Sequence, residues 1–228
     1  KNYKTNTMEN KRSVALLYNP LAKEWAVDLG YVNFHNIGVT KFFPHWINFI
    51  QAYNKFDIKN ERYIVIYSRQ SGHEYYMDDE KYKYLLVTSY EVIREQLPDY
   101  KIYIKTHPRE NSKYIEEIIS DYKMENIALT NLHAAILAKN ALLTVSFWAS
   151  TILDSLSLKI PSVEFYVEAE KFRIIEPRGS MYKYFGIHSV STKESLSSFV
   201  KESIEKKYIL PSIVNEYFAN KDLSFFFE

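Results

Sequence analysis

The chain has no cysteine, only five glycines, and no apolar run near the length of a membrane span. Without cysteine there can be no disulfide framework, thiolate metal site or cysteine nucleophile, and the lack of disulfides fits a cytoplasmic protein. Glycine scarcity goes with the absence of G-x-G-x-x-G and Walker patterns, which argues against a nicotinamide enzyme or a P-loop ATPase. A helix crossing a bilayer needs roughly 20 consecutive apolar residues, and none are present; no secretory signal pattern opens the chain. Charge of one sign is also missing: 29 basic and 28 acidic residues leave a net +1, so no bulk field draws in nucleic acid.

The 228 residues allow one large domain or one and a half small ones. With 46% hydrophobic and 25% charged residues the composition is that of an ordinary globular protein. The first twelve residues are polar and read as a leader or as the start of a piece of a longer protein.

From Tyr63 onward, short β-branched runs alternate with segments of helical period. Strands are expected at 63–67, 102–104, 126–130, 141–145 and 160–165. Helices are expected near 81–97, with Tyr84, Leu85, Thr88, Val92 and Ile93 on one face, and near 112–121, 132–139, 149–156 and 193–206. Asn131 and Thr192 are the expected caps of the third and last of these. This alternation predicts βαβ units, an α/β fold and a Rossmann-like, doubly wound parallel sheet. Residues 57–228 form that domain. Residues 1–56, with a strand near Val14–Tyr18, an aromatic stretch from Gly30 to Gly38 and an amphipathic segment at His45–Tyr53, read as an interdomain connector or partial second domain.

Ligands of such sheets lie beyond the carboxyl ends of the strands, which singles out four groups of residues. Lys105-Thr106-His107-Pro108-Arg109-Glu110 follows a strand directly. Pro108 stiffens the backbone around His107, whose imidazole can donate to a phosphate oxygen. Lys105 and Arg109 add positive potential, and Glu110 suits a ribose hydroxyl or a helix start. The alternative is a solvated loop. In the second group Ser146, Ser150 and Thr151 surround an expected helix N-terminus, where an anion is favoured; the alternative is that a serine merely caps the helix. Arg69 could clamp a diphosphate or lie on the surface. Glu164 could accept from ribose or be a plain strand-end carboxylate. Asp78-Asp79-Glu80 reads as solvated helix-start charge rather than a cation site, and His35, His45, His73 and His188 lack metal-ligand spacing.

A strand ending in Lys105-x-His107-Pro108-x-Glu110, followed about forty residues later by Ser146-x3-Ser150-Thr151, a helix with Asp154 and Lys159-Ile160-Pro161-Ser162-Val163, resembles the C-terminal domain of GT-B bacterial surface-polysaccharide glycosyltransferases. It looks like the enzymes using CMP-activated acidic sugars, the capsule and lipopolysaccharide Kdo transferases and the bacterial sialyl- and polysialyltransferases. The resemblance covers about 63–199. It implies a nucleotide-sugar donor bound through His107, Pro108, Ser150 and Thr151, with Ser146 a nearby candidate and His107 as the catalytic residue; Arg69, Glu110 and Glu164, read from their places after strands, are the further donor-binding candidates. It implies a glycan or glycolipid acceptor, no metal and no separate cofactor, and it places Gly38–Phe42 in the connector. Peripheral membrane association through the rest of the protein is a further expectation. The sialyltransferases' acidic motif ending in Gly is not found, since Asp78-Asp79-Glu80 runs into Lys81. Related patterns occur in CDP-glycerol transferases of teichoic-acid type and in GT-B sugar epimerases.

Overall fold

The computed structural model describes residues 11–17, 22–54, 61–69, 71, 77–168, 180–184, 186–212 and 214. The chain divides into two compact units, one formed by Lys1–Tyr53 with Ser212–Glu228 and one by Asn54–Pro211.

In the first unit, strand β1 (Val14–Leu17), helix α1 (Ala22–Asp28) and strand β2 (Asn33–Asn36) make a small parallel βαβ pair. Asn33–Asn36 lacks β-branched residues, so its strand character comes from pairing with β1 rather than from propensity. A 3-10 turn at Thr40–Phe42 leads into helix α2 (Pro44–Tyr53). Pro44 opens α2 at a position where its missing N–H leaves no bond unmade.

The second unit is a six-stranded parallel sheet. Its strands are β3 (Tyr63–Tyr67), β4 (Lys101–Lys105), β5 (Ile127–Thr130), β6 (Thr144–Ser146), β7 (Ser162–Phe165) and β8 (Ser189–Val190). The helices are α3 (Asp79–Gln96), α4 (Ser112–Asp121), α5 (Ala134–Ala138), α6 (Ile152–Ser157), α7 (Met181–Tyr184) and α8 (Lys193–Ile204). The spatial order is β5-β4-β3-β6-β7-β8, with every neighbouring pair parallel. Counted from β3 this is the Rossmann order 3-2-1-4-5-6. The doubly wound sheet that the sequence pattern predicts is therefore the observed one.

Both faces of β3 are covered, and all five of its residues are buried. Because side chains alternate along a strand, Ile64 and Ile66 enter one core while Tyr63, Val65 and Tyr67 enter the other. The first core is closed by Leu85, Leu86, Val92 and Ile93 of α3, Ile115 and Ile118 of α4, and Leu196, Phe199 and Val200 of α8. Tyr84 falls off the expected α3 stripe and is 45% exposed, its place being taken by buried Tyr82. Across the other face, the small residues of α5 allow close approach to the tyrosines. The Tyr63 hydroxyl donates to the Leu137 carbonyl (2.9 Å), and the Tyr67 hydroxyl donates to the Ala134 carbonyl (3.3 Å) and lies 2.7 Å from Ser155 Oγ on α6. Buried phenols need such partners.

Three local expectations are corrected. The cap of α5 is His133, whose Nδ1 accepts from the Ala135 N–H; Asn131 is otherwise engaged, its Oδ1 accepting from Thr106 Oγ1 at 2.7 Å. Helix α6 starts at Ile152, because Ala149–Thr151 winds as a turn with i→i+3 bonds. Strand β8 and helix α7, absent from the sequence reading, are too short to show a period. Thr192 caps α8 as expected, accepting from the Ser195 N–H.

Candidate functional site

After β3 the chain turns toward β4, and after β6 it turns the other way, toward β7. The crevice left between two such strands is where open α/β sheets bind ligands. A cleft of roughly 140 Å³ opens there. Ser68 and Arg69 border it from β3, Lys105, Thr106, His107 and Pro108 from β4, and Ala149, Ser150 and Thr151 from the turn after β6. Two positive side chains, an imidazole and several hydroxyls meet, with no acidic side chain among the described residues that line the cleft.

The β4 loop is held by Glu110. One carboxylate oxygen accepts from the His107 N–H (2.7 Å) and the other from Ser68 Oγ, which also lies 2.7 Å from the Tyr82 hydroxyl. Glu110 therefore ties the β3 and β4 loops together. Both its oxygens are engaged and it does not border the cleft, so the structure gives it the role of holding the loop. His107 is exposed. Its Nδ1 accepts from the Arg109 N–H at 3.2 Å, so in the neutral ring the proton sits on Nε2, the nitrogen left to act as donor. Arg109 itself is exposed and lies outside the cleft lining.

The turn after β6 begins at Trp148, whose φ of +54° is uncommon for any residue with a side chain. That backbone turn presents Ser150 and Thr151 to the cleft. Thr151 occupies the cap position of α6 but makes no side-chain cap bond, so its hydroxyl remains free to face a ligand. The N–H groups of Ile152, Leu153 and Asp154 bond the carbonyls of Ala149, Ser150 and Thr151. The expected cradle of free backbone N–H groups is thus partly closed, and the hydroxyls carry more of the site. Ser146 is fully buried; its Oγ donates to the Ala149 carbonyl (3.0 Å) and accepts from the Ala149 N–H (3.2 Å). It shapes the turn from beneath and does not border the cleft.

Arg69 Nη1 donates to the Trp148 carbonyl at 2.7 Å, joining the β3 and β6 sides of the cleft while keeping its charge at the edge. Lys105, half-buried, is held below the usual lysine range by burial, an effect that the carboxylates of Asp154 and Glu110 oppose. Asp154 is 3% exposed at the start of α6. Lys105 and Thr106, part of the motif read after β4, and Ser68, just past the end of β3, all border the cleft, as their places at or just past a strand's carboxyl end imply.

Glu164 is fully buried in β7, in register with Ser146 and with Ser189 of β8, and does not border the cleft. One carboxyl oxygen accepts from Ser180 Oγ and from Ser189 Oγ (2.7 Å), and the other has no hydrogen-bond partner among the described residues. Burial pushes its carboxyl up to about 7 against the pull of the two serines. Asp78 caps α3, accepting from the Lys81 N–H at 2.8 Å. Among the described residues no three His, Cys, Asp or Glu converge on a point that could hold a metal.

No protein-family model matches the chain, and no curated protein does. Solved structures do match. UDP-GlcNAc 2-epimerase from Methanocaldococcus jannaschii is 17% identical over 92% of this chain and 61% of its own, with a TM-score of 0.57. The same enzyme in complex with UDP-GlcNAc and UDP is 18% identical over 85% of this chain and 55% of its own, with a TM-score of 0.53. A variant of the wall teichoic acid polymerase TagF is 14% identical over 94% of this chain and 55% of its own, with a TM-score of 0.53. The chain thus spans little more than half the length of these structures. At such identities the likeness is one of fold: a Rossmann-like parallel sheet flanked by helices, as in GT-B proteins.

Proposed function

We propose that the chain carries the donor-binding half of a glycosyltransferase of bacterial surface-polysaccharide synthesis, transferring a sugar from a nucleotide-activated donor, with CMP-Kdo or CMP-sialic acid the first choice, to a glycan acceptor. The supporting observation is the cleft at the β3–β6 crossover, where Arg69, Lys105, His107, Ser150 and Thr151 converge. In this reading the donor phosphate lies against His107 Nε2 and the two hydroxyls, flanked by both cations. As the glycosidic bond breaks, negative charge grows on that phosphate, and preorganised donors aimed at developing charge are the main catalytic device available. Arg69 and Lys105 supply the positive charge, so the transfer is proposed as metal-independent. The acceptor-side base would come from outside the sheet unit.

The test is calorimetric titration of the chain with CMP, CDP and UDP, repeated on His107→Ala. The expected result is preferential CMP binding that His107→Ala weakens, with a rate loss of about 100- to 1000-fold wherever transfer can be assayed. Unchanged binding and transfer in that variant would overturn the reading. A preference for CDP would point instead to polyol-phosphate transfer, the alternative offered by the resemblance to CDP-glycerol transferases of teichoic-acid type. An altered sugar released from a UDP-sugar without acceptor would indicate epimerisation. Binding of none of the three, with the circular dichroism of the folded chain intact, would indicate a non-catalytic module.

A further inference from the structure

We propose that the aromatic face of α2 is a docking surface for an anionic lipid bilayer. Trp46, Phe49 and Tyr53 follow at i, i+3 and i+7, a spacing that ordinarily turns one stripe of a helix into the core. In α2 the buried residue is instead Ile47, while Trp46, Phe49 and Tyr53 are 45%, 50% and 74% exposed. The rings form a continuous ridge. Trp46 and Phe49 stack at 5.5 Å with 14° between their planes, and Phe49 meets Tyr53 at 4.5 Å. Seven residues of helix give the ridge a length of about 10 Å. Lys41, Phe43 and His45 border a hollow beside it.

Charge decides what such a ridge suits. No aspartate or glutamate occurs between Asp28 and Asp57, whereas Lys41 and Lys55 do. Lys41 Nζ lies 4.6 Å from the Phe42 ring centroid, near the base of the ridge. Nothing in that stretch of sequence repels a phosphate headgroup, and its lysines attract one within a Debye length. Tryptophan and tyrosine favour the headgroup level of a bilayer because one end of each is apolar and the other polar. No helix among the described residues is long and apolar enough to cross a membrane, so the association is one of lying on the surface, through a helix in the interfacial plane. The inference does not depend on the reading of the cleft, since α2 belongs to the other unit.

The experiment is sedimentation of the whole chain with vesicles of phosphatidylcholine alone and with phosphatidylglycerol added, at low and high salt. Binding is expected to require phosphatidylglycerol and to weaken with salt. Lys41→Gln should weaken it about fivefold, and Trp46→Ala/Phe49→Ala/Tyr53→Ala more than tenfold, with the far-ultraviolet dichroism of each variant unchanged. In the unsubstituted chain, brominated lipid should quench part of the tryptophan emission, and Trp46→Phe should remove that part. No binding to phosphatidylglycerol vesicles, equal binding to phosphatidylcholine, or no quenching assignable to Trp46 would overturn the proposal. So would concentration-dependent dimerisation lost in the triple variant without vesicle binding, which would give the ridge to a second copy of the chain.

Discussion

The sharpest quantitative consequence of the fold concerns Glu164. A carboxyl in the middle of β7, with one oxygen held by Ser180 and Ser189 and the other without a partner among the described residues, is raised by burial to about 7 from an ordinary 4.5. Unfolding returns it to the ordinary value. Between these two values the folded chain keeps a proton that the unfolded chain releases, so the contribution to stability is complete below about pH 4.5 and is lost as pH rises through about 7. A gap of 7 − 4.5 units, at about 1.36 kcal/mol each, amounts to about 3 kcal/mol, most of it disappearing between about pH 5 and 8. Glu164→Gln preserves the shape and the acceptor oxygen that both serines share but does not titrate. The unfolding free energy of the variant relative to the unsubstituted chain should therefore climb by about 3 kcal/mol across that interval. Urea titrations followed by circular dichroism at several pH values measure this difference, and groups common to both chains cancel from it. A difference that stays flat from about pH 5 to 8 would mean that Glu164 is ionised in the folded state throughout, and the argument from burial would fail.

Two further outcomes follow from buried partners. Tyr67→Phe leaves Ser155 Oγ and the Ala134 carbonyl without the phenol that joins α5 and α6 to the sheet, and should cost about 1–3 kcal/mol in urea unfolding. Glu110→Ala removes the acceptor shared by Ser68 Oγ and the His107 N–H. It should cost about 1 kcal/mol of stability and weaken binding of the preferred nucleotide by calorimetry, because His107 and Ser68 would no longer be held at the cleft.

Much of this arrangement is legible in the sequence, because burial on both faces of a parallel sheet imposes a pattern. Tyr63–Tyr67 is continuously apolar since β3 is central and doubly covered. Ser112–Asp121 and Lys193–Ile204 carry helical periods with a polar residue at the cap, Asn111 and Thr192, and the order of strands and helices carries the topology class. The position of His107 just past β4 is readable too, because a strand's end and a His-Pro pair are both local features.

What no local pattern contains is which strands become neighbours. The pairing of β3 with both β4 and β6 is a long-range packing outcome, and it alone brings Arg69, His107, Ser150 and Thr151 to one cleft. Whether a polar side chain faces ligand or protein is decided the same way. Ser146, Glu110 and Glu164 resemble ligand contacts in sequence, yet the fold engages Ser146 with Ala149, Glu110 with Ser68 and His107, and Glu164 with Ser180 and Ser189. The capping of α5 by His133 follows from Asn131 being drawn to Thr106. In each case a hydrogen-bonding group has several possible partners in the sequence, and burial admits only the one that satisfies it without water. The sequence by itself determined the strand–helix order and the chemical types present; the tertiary structure decided which of those groups meet, and which remain free to face a ligand.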